Sequence, residues 1–307
     1  MELVRGLGHF RERHRGGVVT LGTFDGLHLG HRALVETAVG LALRLGRPAV
    51  MLSFEPMPRE FLHPEDPPAR LTNFRERWRL LERTGLDALC LMRFGERLRT
   101  MSGESFIGLM HELMRPSSIV VGYDFRFGRE GEASAAQLSA EGQRRGFGVQ
   151  VVAPVLVGGE RVSSSAVRGA LAGGEMRRAA GLLGRGYSMR GRVVAGRRLG
   201  RELGYPTANL RLERRRVPLG GIFAVRVRGV REGALQGVAS LGTRPTVDGV
   251  EPLLETHLFD FEGDLYGREL EVEFVQKIRD EARFDGLEAL VAQMNLDARD
   301  ARRILAA

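Results

Sequence analysis

Short apolar, β-branched runs alternate with amphipathic stretches through the first half of the 307-residue chain, and the alternation stops near Gly184 to Gly186. Val18–Leu21, Ala49–Phe54, Ala88–Phe94, Ile119–Gly122 and Val149–Val155 read as strands. The spacing between them predicts helices near 31–45, 73–83 with Thr72 as N-cap, 104–114 and 134–145. Such alternation builds a parallel sheet with helices on both faces and ligands at the carboxyl ends of the strands. Two short helices follow, Ser164–Ala172 and Glu175–Leu183. From Tyr187 the pattern becomes MRGRVVAG, IFAVRVRGV, LQGVASLG, LLETHLFDF and LEVEFVQKI, parted by Gly and Pro, then a helix from Leu287 to Leu305. Several strands with few helices indicate a small antiparallel barrel. The expected fold is α/β: a Rossmann-like parallel-sheet domain over 1–184, then a small antiparallel β-barrel over 185–307 ending in a helix. At this length each half can bury its own core.

The turn Gly22-Thr23-Phe24-Asp25-Gly26-Leu27-His28-Leu29-Gly30-His31 places two histidines three apart where the first of these strands turns into a helix. Unpaired N–H groups and the positive dipole end attract an anion there, and Gly22, Gly26 and Gly30 let the backbone come close to it. Taken alone, the pair also reads as a helix start or as a metal-site HxxH. One cysteine, Cys90, and no nearby His or carboxylate cluster at ligand spacing weigh against zinc.

The net charge of +8 is carried almost wholly by arginine, because Lys277 is the only lysine. A P-loop GxxxxGK[ST] is absent, so phosphate falls to Arg, His, backbone N–H groups and a divalent cation. The densest basic cluster, Arg211 to Arg216, has no interleaved aromatics, which weakens a nucleic-acid reading. Apolar stretches are short and interrupted, and MELVRGLGHFRERHRGG lacks a signal-peptide core, so no membrane segment is expected. A single cysteine excludes an internal disulfide and fits a reducing cytoplasm.

In this setting the His28-Leu29-Gly30-His31 turn resembles the HxGH signature of nucleotidyltransferases. Four further segments follow it in order: Phe54-Glu55-Pro56-Met57-Pro58, Val121 to Gly128 (VGYDFRFG), Ser163 to Arg168 (SSSAVR) and Gly204 to Asn209 (GYPTAN). With Glu255 to Gly267 (ETHLFDFEGDLYG) last, the chain resembles the bacterial bifunctional riboflavin kinase and FAD synthetase family over nearly its whole length. The resemblance implies an N-terminal module joining FMN to ATP, giving FAD and pyrophosphate, and a C-terminal module phosphorylating riboflavin. It implies small-molecule substrates, Mg²⁺, no nucleic acid, no membrane, and a monomer or weak homo-oligomer.

An FMN phosphate is already a nucleophile, so adenylyl transfer needs positioning and charge stabilisation instead of a base. His28 and His31, with the amides of Gly22, Thr23 and Phe24 and with Asp25 in the same turn, are the expected ATP residues there. Ser164, Ser165 and Arg168 suit the β- and γ-phosphates; alone they read as a Ser cap and a surface Arg. Asp124 matches a position associated with nucleotide and flavin. Phe125 and Phe127 share a side, and each is either core or a flavin contact. Thr23 stands where the family often has Asn, Met57 where it has His and Ser165 where it has Thr, and the loop 128–131 is about two residues shorter than usual.

Riboflavin's primary alcohol is a poor nucleophile, and Glu255 matches the base that the family places beside it. Leu253 and His257 share its strand face, so plain solvent exposure is not the default for it. Pro206-Thr207-Ala208-Asn209 matches the family's PTAN motif, in which Thr207 and Asn209 offer oxygens for Mg²⁺. The flap punctuated by Gly196, Gly200 and Gly204 can wrap phosphates; alone it reads as a hairpin turn. Arg279 and Phe284 align with positions that the family places near the flavin. Two rival readings are a kinase with a decayed adenylyltransferase module and a basic RNA-binding or flavin-sensing regulator without turnover.

Overall fold

Residues 18–21, 49–52 and 88–91 are buried along their whole length, so their alternating side chains need cover on both sheet faces. The computed structural model describes residues 1–196, 204–246 and 249–306. It has two compact units, Met1–Pro68 with Arg77–Val162, and Ala69–Glu76 with Ser163–Ala307.

In the first unit, β1 (Glu2–Arg5), β2 (Val18–Leu21), β3 (Ala49–Glu55), β4 (Ala88–Arg93), β5 (Ser118–Gly122) and β6 (Gly148–Val152) form one parallel sheet. Its order is β1-β4-β3-β2-β5-β6. The helices of the first half of the chain are α1 (Leu29–Leu45), α2 (Pro58–Leu62), α3 (Phe74–Leu81), α4 (Glu96–Arg99), α5 (Gly103–Met114) and α6 (Ala135–Arg145). Phe106, Ile107 and Met110 of α5 and Leu138 of α6 pack with Val19, Leu21, Val50, Leu52 and Val121 on one face. Val35, Ala38 and Ala42 form the buried stripe of α1, which packs on β2, β3 and β5. Cys90 belongs to the same cluster as the α5 and α6 residues, and burial pushes its thiol up to about 12.

Sheet order dictates where a ligand goes. From β2 the chain moves one way to β3 and β4, and β5 then joins on the other side of β2. The carboxyl ends of β2 and β5 flank that reversal, the place where open α/β sheets bind ligands.

Two expectations are corrected by the structure, and one strand is added to them. Asn73, not Thr72, caps α3: its Oδ1 accepts from the Glu76 N–H at 2.9 Å, and the Glu76 carboxylate accepts from the Asn73 N–H at 2.8 Å, a reciprocal box that Asn with Glu three residues on is built to make. The strand β6 stops at Val152 instead of Val155, because Pro154 has no N–H for a ladder. The edge strand β1, four residues long, is too short to leave a periodic signature.

In the second unit, α7 (Ser164–Ala172) and α8 (Met176–Leu183) precede β7 (Tyr187–Val194), β8 (Thr207–Arg211), β9 (Gly221–Arg228), β10 (Leu235–Thr246), β11 (Gly249–Leu258), β12 (Glu269–Arg279) and α9 (Leu287–Ala306). The six strands close an antiparallel barrel in the order β7-β8-β11-β10-β9-β12, with β12 pairing back to β7. Only β8 was not expected, since its five residues are polar at 207 and 209 and hide a buried alternation of Ala208 and Leu210. Phe223 and Phe274 meet edge to face at 5.2 Å in the barrel core. Ala301 and Leu305 of α9 cover Ala224 and Phe259. No helix among the described residues is long and apolar enough to cross a membrane.

A buried charge pair ties Ala69–Glu76 to this barrel. The Arg214 guanidinium donates to the Glu76 carboxylate, to the Tyr187 hydroxyl at 3.3 Å and to the Arg70 carbonyl at 3.2 Å, while Glu76 also accepts from the Arg190 N–H at 2.7 Å. Arg214 side-chain exposure is 0% and that of Glu76 is 7%. Removing one partner leaves a charge out of water, so Glu76→Leu is expected to lower unfolding free energy by about 3–5 kcal/mol. Denaturant titration of the variant against the parent protein measures it.

Candidate active sites

The ten residues after β2 fold around the buried side chains of Phe24, Asp25, Leu27 and His28. Phe24 is 0% and Asp25 1% exposed, and Phe24 and Leu27 both take positive φ, 51° and 39°. Non-glycine residues held there store about 1–3 kcal/mol each, strain characteristic of ligand-holding turns. Gly26, at φ 80°, supplies the third left-handed position. Gly22 and Gly30 serve packing: a Cβ on either would come within 3.2 Å of the Phe24 or the His28 ring, respectively. Phe24 therefore offers this turn its backbone, its ring being core.

His28 is the N-cap of α1, and its Nδ1 accepts from the His31 N–H at 3.2 Å. With Nδ1 accepting, the neutral ring carries its proton on Nε2 and donates from there. The His28 and His31 rings stack, centroids 3.6 Å apart, and His31 leans on Phe24 at 5.2 Å. His28 is thus a helix start, one of the readings that the sequence left open. Asp124 follows β5 across the sheet reversal, half-exposed and ion-paired with Arg161, which also covers the Tyr123 ring at 5.0 Å. Phe127 is core, 8% exposed and packed on Phe106, while Phe125 stacks on it and keeps partial exposure. Met57, buried, heads α2, and its N–H donates to Glu60 at 3.0 Å.

Ser164 and Ser165 open α7 in the second unit, and the cap is their neighbour Ser163, whose hydroxyl accepts from the Ala166 N–H at 3.1 Å. The Arg168 Nε donates to the Ala69 carbonyl at 2.6 Å.

On the barrel, β8 and β11 pair Asn209 with Glu255 and Thr207 with His257. Ala208, Leu210, Leu254 and Thr256 point inward and are buried, so the four polar residues share the outer face and are half-buried. Cross-strand partners of this kind sit about 5 Å apart at Cβ. His257 Nδ1 lies 2.9 Å from the Pro206 carbonyl, and the Tyr205 ring meets His257 edge-on at 5.0 Å. Gly196 stands against Asn209, where a Cβ would come within 2.4 Å of its amide. Residues 197–203, with Gly200, lie outside the described residues; Gly204 is exposed at φ 81°. Beside Thr207 a cavity of about 320 Å³ is lined by Thr256, Leu258, Phe261, Asp264 and Tyr266. Arg279 and Phe284 meet with the guanidinium 5.7 Å from the ring, and Asp297 of α9 holds that guanidinium by two bonds at 2.9 and 2.6 Å.

Sequence reasoning missed Arg77, Ser53, Arg161 and Asp297, because a polar residue within a strand or helix reads as solvent-facing until its neighbours are known. It also placed no strand at Thr207–Arg211.

The FAD synthetase family matches residues 10–166, and the riboflavin kinase family matches residues 183–305. A bifunctional riboflavin kinase/FMN adenylyltransferase of Pseudomonas fluorescens is 43% identical over 308 residues, covering 100% of this chain and 98% of that protein. The protein so named from Escherichia coli (strain K12) is 41% identical, covering 98% of this chain and 97% of its own. A crystal structure described as a macrolide-efflux protein from Streptococcus pneumoniae superposes with TM-score 0.84 at 32% identity, covering 98% of this chain and 99% of its own. With both family matches in chain order and relatives that align end to end, the chain belongs to the bifunctional riboflavin kinase/FMN adenylyltransferase family, and it produces FMN from riboflavin and FAD from FMN.

Proposed function

We propose that the two reactions divide at residue 184, adenylyl transfer running on 1–184 and riboflavin phosphorylation on 185–307, as the two matched segments support. In the kinase module Glu255 takes the proton of the ribityl hydroxyl as its oxygen attacks the γ-phosphorus and ADP leaves. The observation that carries this is the register of β8 on β11, which sets Asn209 directly opposite Glu255. Thr207 and Asn209 present two hard oxygens on one face, and among the described residues no cluster of three His, Cys, Asp or Glu could cage a metal. That donor set fits Mg²⁺, which keeps few protein ligands and completes its shell with phosphates and water. When bound, Mg²⁺ neutralises charge on the transferring phosphates. The cavity beside Thr207 takes the nucleoside end of ATP, and Gly196 with Gly204 borders the phosphates. Arg279, aimed by Asp297, and Phe284 border the flavin.

In the adenylyltransferase module an FMN phosphate oxygen attacks the α-phosphorus and pyrophosphate leaves. His28 and His31 donate to the oxygens gaining charge, with the amides of Gly22, Thr23 and Phe24 beside them and Asp25 bracing the turn. Ser164, Ser165 and Arg168 take the distal phosphates, and Asp124 holds the sugar or flavin edge beside Phe125. Phe127, though proposed from sequence as a flavin contact, acts by supporting Phe125 from the core. A reducing cytoplasm suits the lone buried Cys90.

Gly196→Ala tests the kinase half. The new Cβ displaces the Asn209 amide, and a shift near 1 Å in a positioned group costs up to about 10²-fold. Riboflavin phosphorylation is expected to fall by about tenfold or more with KM for Mg²⁺-ATP raised, and FAD formation from supplied FMN to stay unchanged. Unaltered phosphorylation kinetics would remove Asn209 from the site.

A further inference from the structure

Arg77 is the largest fully buried side chain among the described residues, at 0% exposure. Its guanidinium reaches the turn after β2 and the carboxyl end of β3. Nη1 donates to the Thr23 carbonyl at 2.8 Å, inside the turn after β2, and Nη2 donates to the Glu55 carboxylate at 3.2 Å, at the end of β3. The Ser53 hydroxyl approaches that same Thr23 carbonyl at 3.4 Å.

We propose that Arg77 is a positioning residue for adenylyl transfer, setting the direction of the Thr23–Phe24 peptide from beneath. This rests on the phosphate-binding reading of the His28–His31 turn given above. In a trans peptide the carbonyl and the following N–H point opposite ways. Drawing the Thr23 carbonyl inward onto Arg77 therefore turns the Phe24 N–H outward, and the positive φ of Phe24 at 51° shows a peptide held in an uncommon orientation. A carbonyl by itself needs no buried cation, since a hydroxyl such as that of Ser53 satisfies it without charge. What arginine adds is a rigid planar fork that grips a carbonyl and a carboxylate together, fixing the turn relative to the Phe54-Glu55-Pro56 segment. The Glu55 carboxylate compensates the buried positive charge. A lysine reaches one of these acceptors at full strength, not both in one plane.

The test uses the full-length protein, measuring kcat and KM for FAD formation from FMN and ATP and, in the same preparation, riboflavin phosphorylation. Arg77→Met is expected to lower kcat for FAD formation by about tenfold or more with KM for FMN little changed, because the lost alignment matters most where charge develops. Riboflavin phosphorylation is expected to hold. Arg77→Lys should fall between parent and Arg77→Met. The double variant Arg77→Met/Glu55→Gln removes the orphaned carboxylate and carries the test if the single variant does not fold. Unchanged kcat in a folded variant overturns the proposal, as does an equal fall in both reactions, which marks Arg77 as structural only. His28→Ala/His31→Ala in the same assay separates the two readings. If it too leaves FAD formation intact, the phosphate-turn reading fails; if it alone lowers FAD formation, only the role of Arg77 fails.

Discussion

Glu255→Gln is expected to lower FMN formation from riboflavin by about 10²- to 10⁴-fold, the range of general-base assistance to an alcohol nucleophile. Glutamine keeps the size and one acceptor oxygen on the outer face of β11, opposite Asn209, and loses only the basic carboxylate. Affinity for Mg²⁺-ATP is expected to change little, since Thr207 and Asn209 stand on the neighbouring strand. FAD formation from supplied FMN should persist, because that phosphate is already an anion. Both rates and the nucleotide affinity are read from one preparation. A normal phosphorylation rate would reduce Glu255 to a strand residue, and an equal loss of both activities would indicate misfolding.

Replacing His28 and His31 together by Ala is expected to cut FAD formation by about 10²- to 10³-fold, the cost of removing preorganised donors to developing charge. The structure adds a qualification to this double change. His28 also caps α1, and losing a cap costs about 1 kcal/mol, well short of unfolding the helix. His28→Asn keeps the cap and removes the Nε2 donor, so comparing it with His28→Ala separates catalysis from capping. Steady-state FAD formation with riboflavin phosphorylation as internal reference measures both, and full FAD activity in the double variant would remove the histidines from the mechanism.

Much of this architecture was legible because both halves obey a simple period. Runs such as Val18–Leu21, polar only at Thr20, and Ala49–Leu52 are buried at every position, as in a sheet covered on both faces, and α1 begins at the His-rich turn where the sequence placed it. Legibility failed where a residue's role depends on what lies opposite. The alternation of β8 is hidden because its outward members are Thr207 and Asn209, so five residues with only two apolar side chains facing in resemble a loop. Arg77 sits in a helix rich in charge, and nothing in its local pattern separates it from the surface arginines around it. Phe127 and Phe125 share an alternation, and only their neighbours tell the buried ring from the half-exposed one. Periodicity reports which face a side chain takes; it does not report what the face meets.

The pairing of β8 with β11 has a consequence for how this enzyme can vary. Along Thr207-Ala208-Asn209-Leu210, polar and space-filling residues occupy alternate positions of one short ribbon, so core and outer face are interleaved letter by letter. Point changes can therefore alter one register of meaning and leave the other intact. A single inserted or deleted residue cannot, because it swaps the faces of everything downstream, sending polar side chains into the barrel and aliphatic ones onto the outer face at once. An insertion or deletion within Thr207–Leu210 is therefore expected to disrupt the core and the outer face together, where a substitution disturbs one of them.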